Sequence, residues 1–173
     1  PDSFYDGGRL PTSDAAVAHG RALRDAGADI LDIGGESTRP GSDLVSEQQE
    51  MDRILPVIER LTAAGALVSA DTRRAQVMRA ACAAGARIIN DVSALTNPGA
   101  LEAVAETGAA VVLMHMQGEP ETMQENPSYK DVMGEVLSFL NQSIKTAETA
   151  GIQSDRIAID PGIGFGKNLD HNI

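Results

Sequence analysis

Short apolar runs recur along the chain, each introduced by a glycine and each ending in polar side chains. Gly27 precedes ADILDIGG, Gly65 precedes ALVSAD, Gly85 precedes ARIIND, Gly108 precedes AAVVLMHM and Gly151 precedes IQSDRIAIDPG. Runs this short, this branched and this evenly apolar predict strands buried on both faces. The stretches between them carry apolar residues at helical spacing. Ser13 or Asp14 caps a first helix that turns Ala16, Val17, Leu23 and Ala26 inward and stops at Gly27. A second is predicted from about Ser46 to Leu61, capped by Ser46, with Met51, Ile54, Leu55 and Ile58 as its buried stripe. Glu47 to Glu50 complement its N-terminal dipole. Further helices are predicted over Arg73 to Ala84, Pro98 to Thr107 and Asp131 to Ala150. Strict alternation of strand and helix indicates a parallel sheet built from right-handed crossovers.

The polar residues where strands stop are Asp32, Asp71, Asn90 with Asp91, His115 and Asp160. In a parallel α/β fold these ends share one face, the face where substrates bind. Carboxylates and an amide carbonyl are acceptors, so the rim suits a ligand rich in N–H donors, such as an amino-substituted heterocycle. The stretch ILDIGGESTRPG, Ile30 to Gly41, runs from a buried strand through Gly34-Gly35 into a loop of hydroxyls with Arg39, the best-placed cation for an anionic group. Pro1 to Leu10 reads as a functional loop, because Phe4 and Tyr5 stand between Asp2 and Asp6 ahead of Gly7-Gly8. Asp160 to Lys167, DPGIGFGK, is expected to be a mobile glycine-rich loop with one aromatic and one cation. It lacks the GxGxxG spacing of a dinucleotide site. His115 has no second histidine or cysteine at zinc-ligand spacing.

Composition narrows the partners. The 173 residues are 42% hydrophobic and 23% charged, enough for one core and a single domain over 1–173. A net charge of -11 argues against nucleic acid and anionic membranes, which are held first by Lys and Arg. No apolar run approaches the roughly 18 residues of a membrane span. Cys82 is the single cysteine, so no disulfide framework exists and a reducing cytosol is expected. Its alanine neighbours make it a small packing residue.

The motifs PDSFYDGG, GGESTRPG, SADT, IND, MHMQG and DPGIGFGK follow one another at successive strand ends. Together they resemble the dihydropteroate synthases, folate-pathway transferases that sulfonamides inhibit, and the resemblance covers essentially the whole chain. Tyr5 and Ala70 depart from the residues expected there. The resemblance implies a (β/α)8 TIM barrel, here a partial barrel lacking the first strand and the last two, incomplete at both ends. It implies condensation of 6-hydroxymethyl-7,8-dihydropterin diphosphate with p-aminobenzoate, giving 7,8-dihydropteroate and diphosphate. By the same resemblance Asp71, Asn90 and Asp160 bind the pterin edge while Val92 and Met114 pack on its faces. Thr38 and Arg39 contact the diphosphate, and Phe4, Pro40 and Phe165 form the p-aminobenzoate pocket. Asp6 and Arg39 serve catalysis, Asp6 by stabilising a pterin cation. Mg²⁺ is implied as cofactor, held partly by an asparagine of a segment preceding Pro1. A cytoplasmic homodimer is implied for the full-length enzyme.

Two other readings stand beside this one. A methyltetrahydrofolate methyltransferase domain shares the fold and acidic pterin contacts, and a non-catalytic pterin binder would retain Asp71, Asn90 and Asp160 without turnover. An aldolase-like phosphate-binding barrel should carry a lysine at a strand end, whereas Lys167 lies in a loop.

Overall fold

The computed structural model describes residues 12–37, 45–120 and 122–172, in which strands and helices alternate as the periodicity predicts. The strands are β1 (Ile30–Gly34), β2 (Leu67–Asp71), β3 (Ile88–Asp91), β4 (Ala110–Met114) and β5 (Ile157–Asp160). The helices are α1 (Ser13–Asp25), α2 (Glu47–Ala63), α3 (Ala75–Ala83), α4 (Ala100–Thr107) and α5 (Val132–Thr149). All neighbouring strands pair in parallel, in the order β1-β2-β3-β4-β5.

That order decides the architecture. A doubly wound sheet reverses direction at a switch point and carries helices on both faces. Here the order never reverses, so right-handed crossovers put every helix on the same side. Leu31, Val68, Ala70, Ile89, Val111 and Leu113 face that side and bury against Val17, Ile54, Ile58, Leu61, Val77, Met78 and Val104. The opposite face carries Ile30 and Leu67, which stay 48% and 42% exposed. A sheet with one helix-covered face and one concave face is the arc of a barrel. The chain forms a partial (β/α)8 barrel.

Two details of the helices differ from the expected pattern. α1 is capped by Thr12, whose side chain accepts from Ala15 N, and not by Ser13 or Asp14. Its buried side is Ala16, Val17 and Gly20, while Leu23 and Ala26 are exposed. Gly20 matters because a Cβ there would come 2.9 Å from Leu61 Cδ1, so the missing side chain lets α1 pack closely on α2 at this point. α2 follows expectation at its start, where Ser46 and Gln49 form a reciprocal capping box.

Candidate functional site

Strand register sets the rim. Parallel partners share a face, and the pairs Gly34↔Asp71, Asp71↔Asn90, Asn90↔Val112 and Val112↔Ala158 define one level of the concave side. The next level contains Met114↔Asp160. Asp71, Asn90, Met114 and Asp160 are thereby brought to one face by backbone pairing alone. Val92 follows β3 directly and is buried, as is Met114. Phe165 is half-buried in the loop after β5. Phe4, Asp6, Thr38, Arg39 and Pro40 lie outside the described residues.

Asp32 sits one level lower, paired with Ser69, and it orients the rim. Asn90 Nδ2 donates to Asp32 Oδ2 at 3.0 Å. This bond fixes which end of the amide is which. Asn90 therefore offers its carbonyl oxygen outward, completing a set of acceptors with Asp71 and Asp160. Asp32 was visible in the sequence as a strand-end carboxylate; its partner 58 residues away was not.

The electrostatics are strained in one direction. Burial pushes the Asp71 carboxyl well above its usual range, and Asp32, Glu50, Asp91 and Glu36 push it further. Asp32 is raised by burial too, against bonds from Ser69 and Asn90. No hydrogen bond to a described residue offsets the Asp71 shift. A carboxyl crowded by like charge, with no donor among the described residues, gains from N–H bonds that a ligand brings.

Two expected rim residues face elsewhere. Successive strand residues alternate sides, so Asn90 and Asp91 cannot share a face, and neither can Met114 and His115. Asp91 is fully buried toward the helices, where its oxygens accept from Ser93 N and Leu95 N, both at 2.8 Å. It shapes the turn that carries Val92. Burial raises its pKa to about 6. Folded, Asp91 keeps its proton to about pH 6; unfolded, it loses it near 3.8. Its contribution to stability is full below about pH 4 and is lost as pH rises through 6, a change of no more than about 3 kcal/mol. Urea unfolding between pH 4 and 7.5 is expected to show a steeper loss of stability in the wild type than in Asp91→Asn, which keeps only the part due to Asp71 and Asp32. Identical slopes would mean that Asp91 is ionised throughout.

Behind the rim lies an ion-pair cluster that the sequence did not reveal. Glu50, expected to serve the α2 dipole, is only 1% exposed and pairs with Arg74 Nη1. Arg74 Nη2 reaches Glu36 Oε1 at 2.8 Å and Val45 O at 2.6 Å. Val45 N donates back to Glu36 Oε1 at 3.2 Å, and Arg73 Nε lies 3.5 Å from Glu36 Oε2. The cluster thus joins the residues at either end of the 38–44 segment, Glu36 on one side and Val45 on the other.

The loop after β5 was expected to be mobile, yet it is bonded at almost every residue. Gly162 N donates to Asp160 Oδ1 at 2.7 Å, Gly164 N to Asn172 Oδ1 at 2.8 Å, and Tyr129 Oη to Gly166 O at 2.7 Å. Gly162 has φ 68°, and a Cβ on it would fall 1.9 Å from His115 O, so glycine is required there. Lys167 is buried beneath this loop and not displayed in it.

Comparison with known proteins agrees with this geometry. The dihydropteroate synthase of Escherichia coli K12 is 50% identical over 173 residues, covering 99% of this chain and 61% of that protein. A Yersinia pestis dihydropteroate synthase in complex with a sulfonamide drug superposes with a TM-score of 0.96 at 49% identity, covering 99% of this chain and 63% of that one. A Xanthomonas albilineans dihydropteroate synthase with 4-aminobenzoic acid gives 0.88 at 54% identity, covering 98% and 60%. The chain therefore spans about three fifths of the length of these relatives. The family model for pterin binding enzymes matches residues 1–173. This chain belongs to the pterin-binding enzyme family.

Proposed function

We propose that the chain forms the pterin-binding part of a dihydropteroate synthase. The observation that carries this reading is the acceptor set of Asp71, Asn90 and Asp160 on one face, with Asn90 oriented by Asp32. A pterin presents amine and ring N–H groups along one edge, and buried acceptors left without such donors are costly, which makes the site selective. Val92 and Met114 supply apolar contact for the ring faces.

The reaction breaks the bond between the pterin methylene carbon and the diphosphate oxygen, whose electron pair leaves with diphosphate. The amine nitrogen of p-aminobenzoate then bonds to that carbon and loses a proton to solvent. An aniline is neutral near pH 7, so no strong base is needed. In this reading Asp6 stabilises the pterin cation, and Thr38 and Arg39 hold the departing diphosphate, Arg39 as a charge-assisted fork. Phe4, Pro40 and Phe165 enclose the amine substrate, and sulfonamides compete for the same pocket. The resemblance also implies Mg²⁺. Among the described residues no group of three or more His, Cys, Asp or Glu could hold a metal ion, so no step is assigned to it. A homodimer and a cytosolic setting belong to the same proposal; among the described residues no helix is long and apolar enough to cross a membrane.

The test uses the full-length enzyme that contains this chain, supplied with dihydropterin methyl diphosphate, p-aminobenzoate and Mg²⁺. Diphosphate and dihydropteroate are expected in equal amounts. Pterin binding without either product would overturn the assignment.

A further inference from the structure

We propose that Lys167 is a positioning residue for the aryl-amine pocket: its buried ammonium folds the Gly162–Gly166 loop and so fixes where Phe165 stands. The inference rests on the synthase reading for the identity of that pocket and on the structure for everything else.

Lys167 is only 4% exposed. Its Nζ lies 2.9 Å from Gly162 O, 3.1 Å from Phe165 O and 3.0 Å from His115 Nδ1, with His115 O further off at 3.4 Å. An ammonium has three N–H donors, and three close acceptors meet them. That match makes the burial tolerable, because an ammonium removed from water needs every donor used. For Nδ1 to accept, His115 must be the neutral tautomer that carries its proton on Nε2. Burial and the Lys167 charge both hold the His115 pKa down, consistent with this form. Phe139 meets the imidazole edge-on, with ring centroids 5.1 Å apart, and steadies it.

The loop closes around this point. Phe165 N donates to Gly162 O at 3.0 Å, and the Phe165 and Gly162 carbonyls share the same ammonium. The backbone on both sides of the Phe165 side chain is therefore tied to one cation. Burial pushes the Lys167 pKa down to about 8, with the Asp160 carboxylate opposing. An enclosed ammonium engaged with three acceptors is no Schiff-base nucleophile; its work is structural and local. Arginine cannot replace it, since a planar fork does not match acceptors converging on one atom.

In the full-length enzyme, Lys167→Met is expected to raise the KM for p-aminobenzoate about tenfold, with pterin affinity changed less than threefold. Lys167→Arg, which keeps the charge, should shift the same KM in the same direction. Amide hydrogen exchange over 162–167 is expected to speed up at least tenfold in both variants, while the β3 amides stay protected. This last measurement needs no turnover, so it separates a failure of the inference from a failure of the synthase assignment. Unchanged exchange in that loop, or a p-aminobenzoate KM within twofold of wild type in a folded variant, would overturn the role of Lys167.

Discussion

Asp71→Asn in the full-length enzyme is expected to weaken pterin binding roughly a hundredfold, equivalent to about 3 kcal/mol of charge-assisted hydrogen bonding. The same substitution is expected to raise the thermal midpoint by a few degrees, about 1 kcal/mol of relief. Both effects follow from one environment: Asp71 is desolvated among Asp32, Glu50, Asp91 and Glu36, so its charge burdens the fold. A residue that harms stability where it stands and governs ligand affinity is held there by function. Asp160→Asn should behave differently. Its oxygen can keep the bond from Gly162 N, but the new amide then turns a donor toward the ligand's own donors. Affinity should again fall about a hundredfold, with little gain in stability. The exposed Asp155→Asn serves as control and should leave both quantities unchanged. Calorimetric titration with a pterin and thermal unfolding of the three variants would decide. A loss below threefold for Asp71→Asn would remove the acceptor set as the basis of recognition.

Arg74→Met is expected to be the most destabilising single change, costing about 3–5 kcal/mol in urea unfolding, because it strands a buried carboxylate without its cation. Glu50 is that carboxylate, and Glu36 and Val45 O lose partners at the same time. Arg74→Lys should recover only part, since one ammonium cannot reproduce the fork that meets Glu50 and Glu36 together. The double variant Arg74→Met/Glu50→Gln should be more stable than Arg74→Met alone. If the double variant were no better, the stranded charge would not be the cause of the loss.

The parts of this chain legible in its sequence are those set by short-range periodicity. Glycine-led apolar runs marked all five strands, and Ser46 marked the start of α2. The rim was also legible, since a parallel sheet must gather its strand ends. Two of its assigned members were misplaced for a reason the sequence contained: Asn90-Asp91 and Met114-His115 are adjacent, and alternation sends one of each pair to the other side. What could not be read were partnerships across long separations. Arg74 meets Glu36 over 38 residues and Lys167 meets His115 over 52, and nothing local distinguishes those residues from solvated surface charges. The glycines ahead of Lys167 place it in a mobile loop on the sequence alone. The same glycines let the backbone fold its carbonyls down onto the ammonium.

The register of the sheet has a consequence for how such a protein can vary. Asp71 and Asn90 stand at one level, and Asp160 stands two residues further along than Ala158, which shares that level. The acceptors thus lie on a slope, offset by about 7 Å along the strands. Substitutions elsewhere leave this slope intact, and insertions in the helices or outer loops are absorbed before the next strand begins. A one-residue deletion inside β5 is not absorbed: it turns Asp160 toward the helices and brings its neighbour inward. Divergent descendants of this site should therefore tolerate extensive changes of residue type while strand lengths stay fixed, so that spacing outlasts sequence.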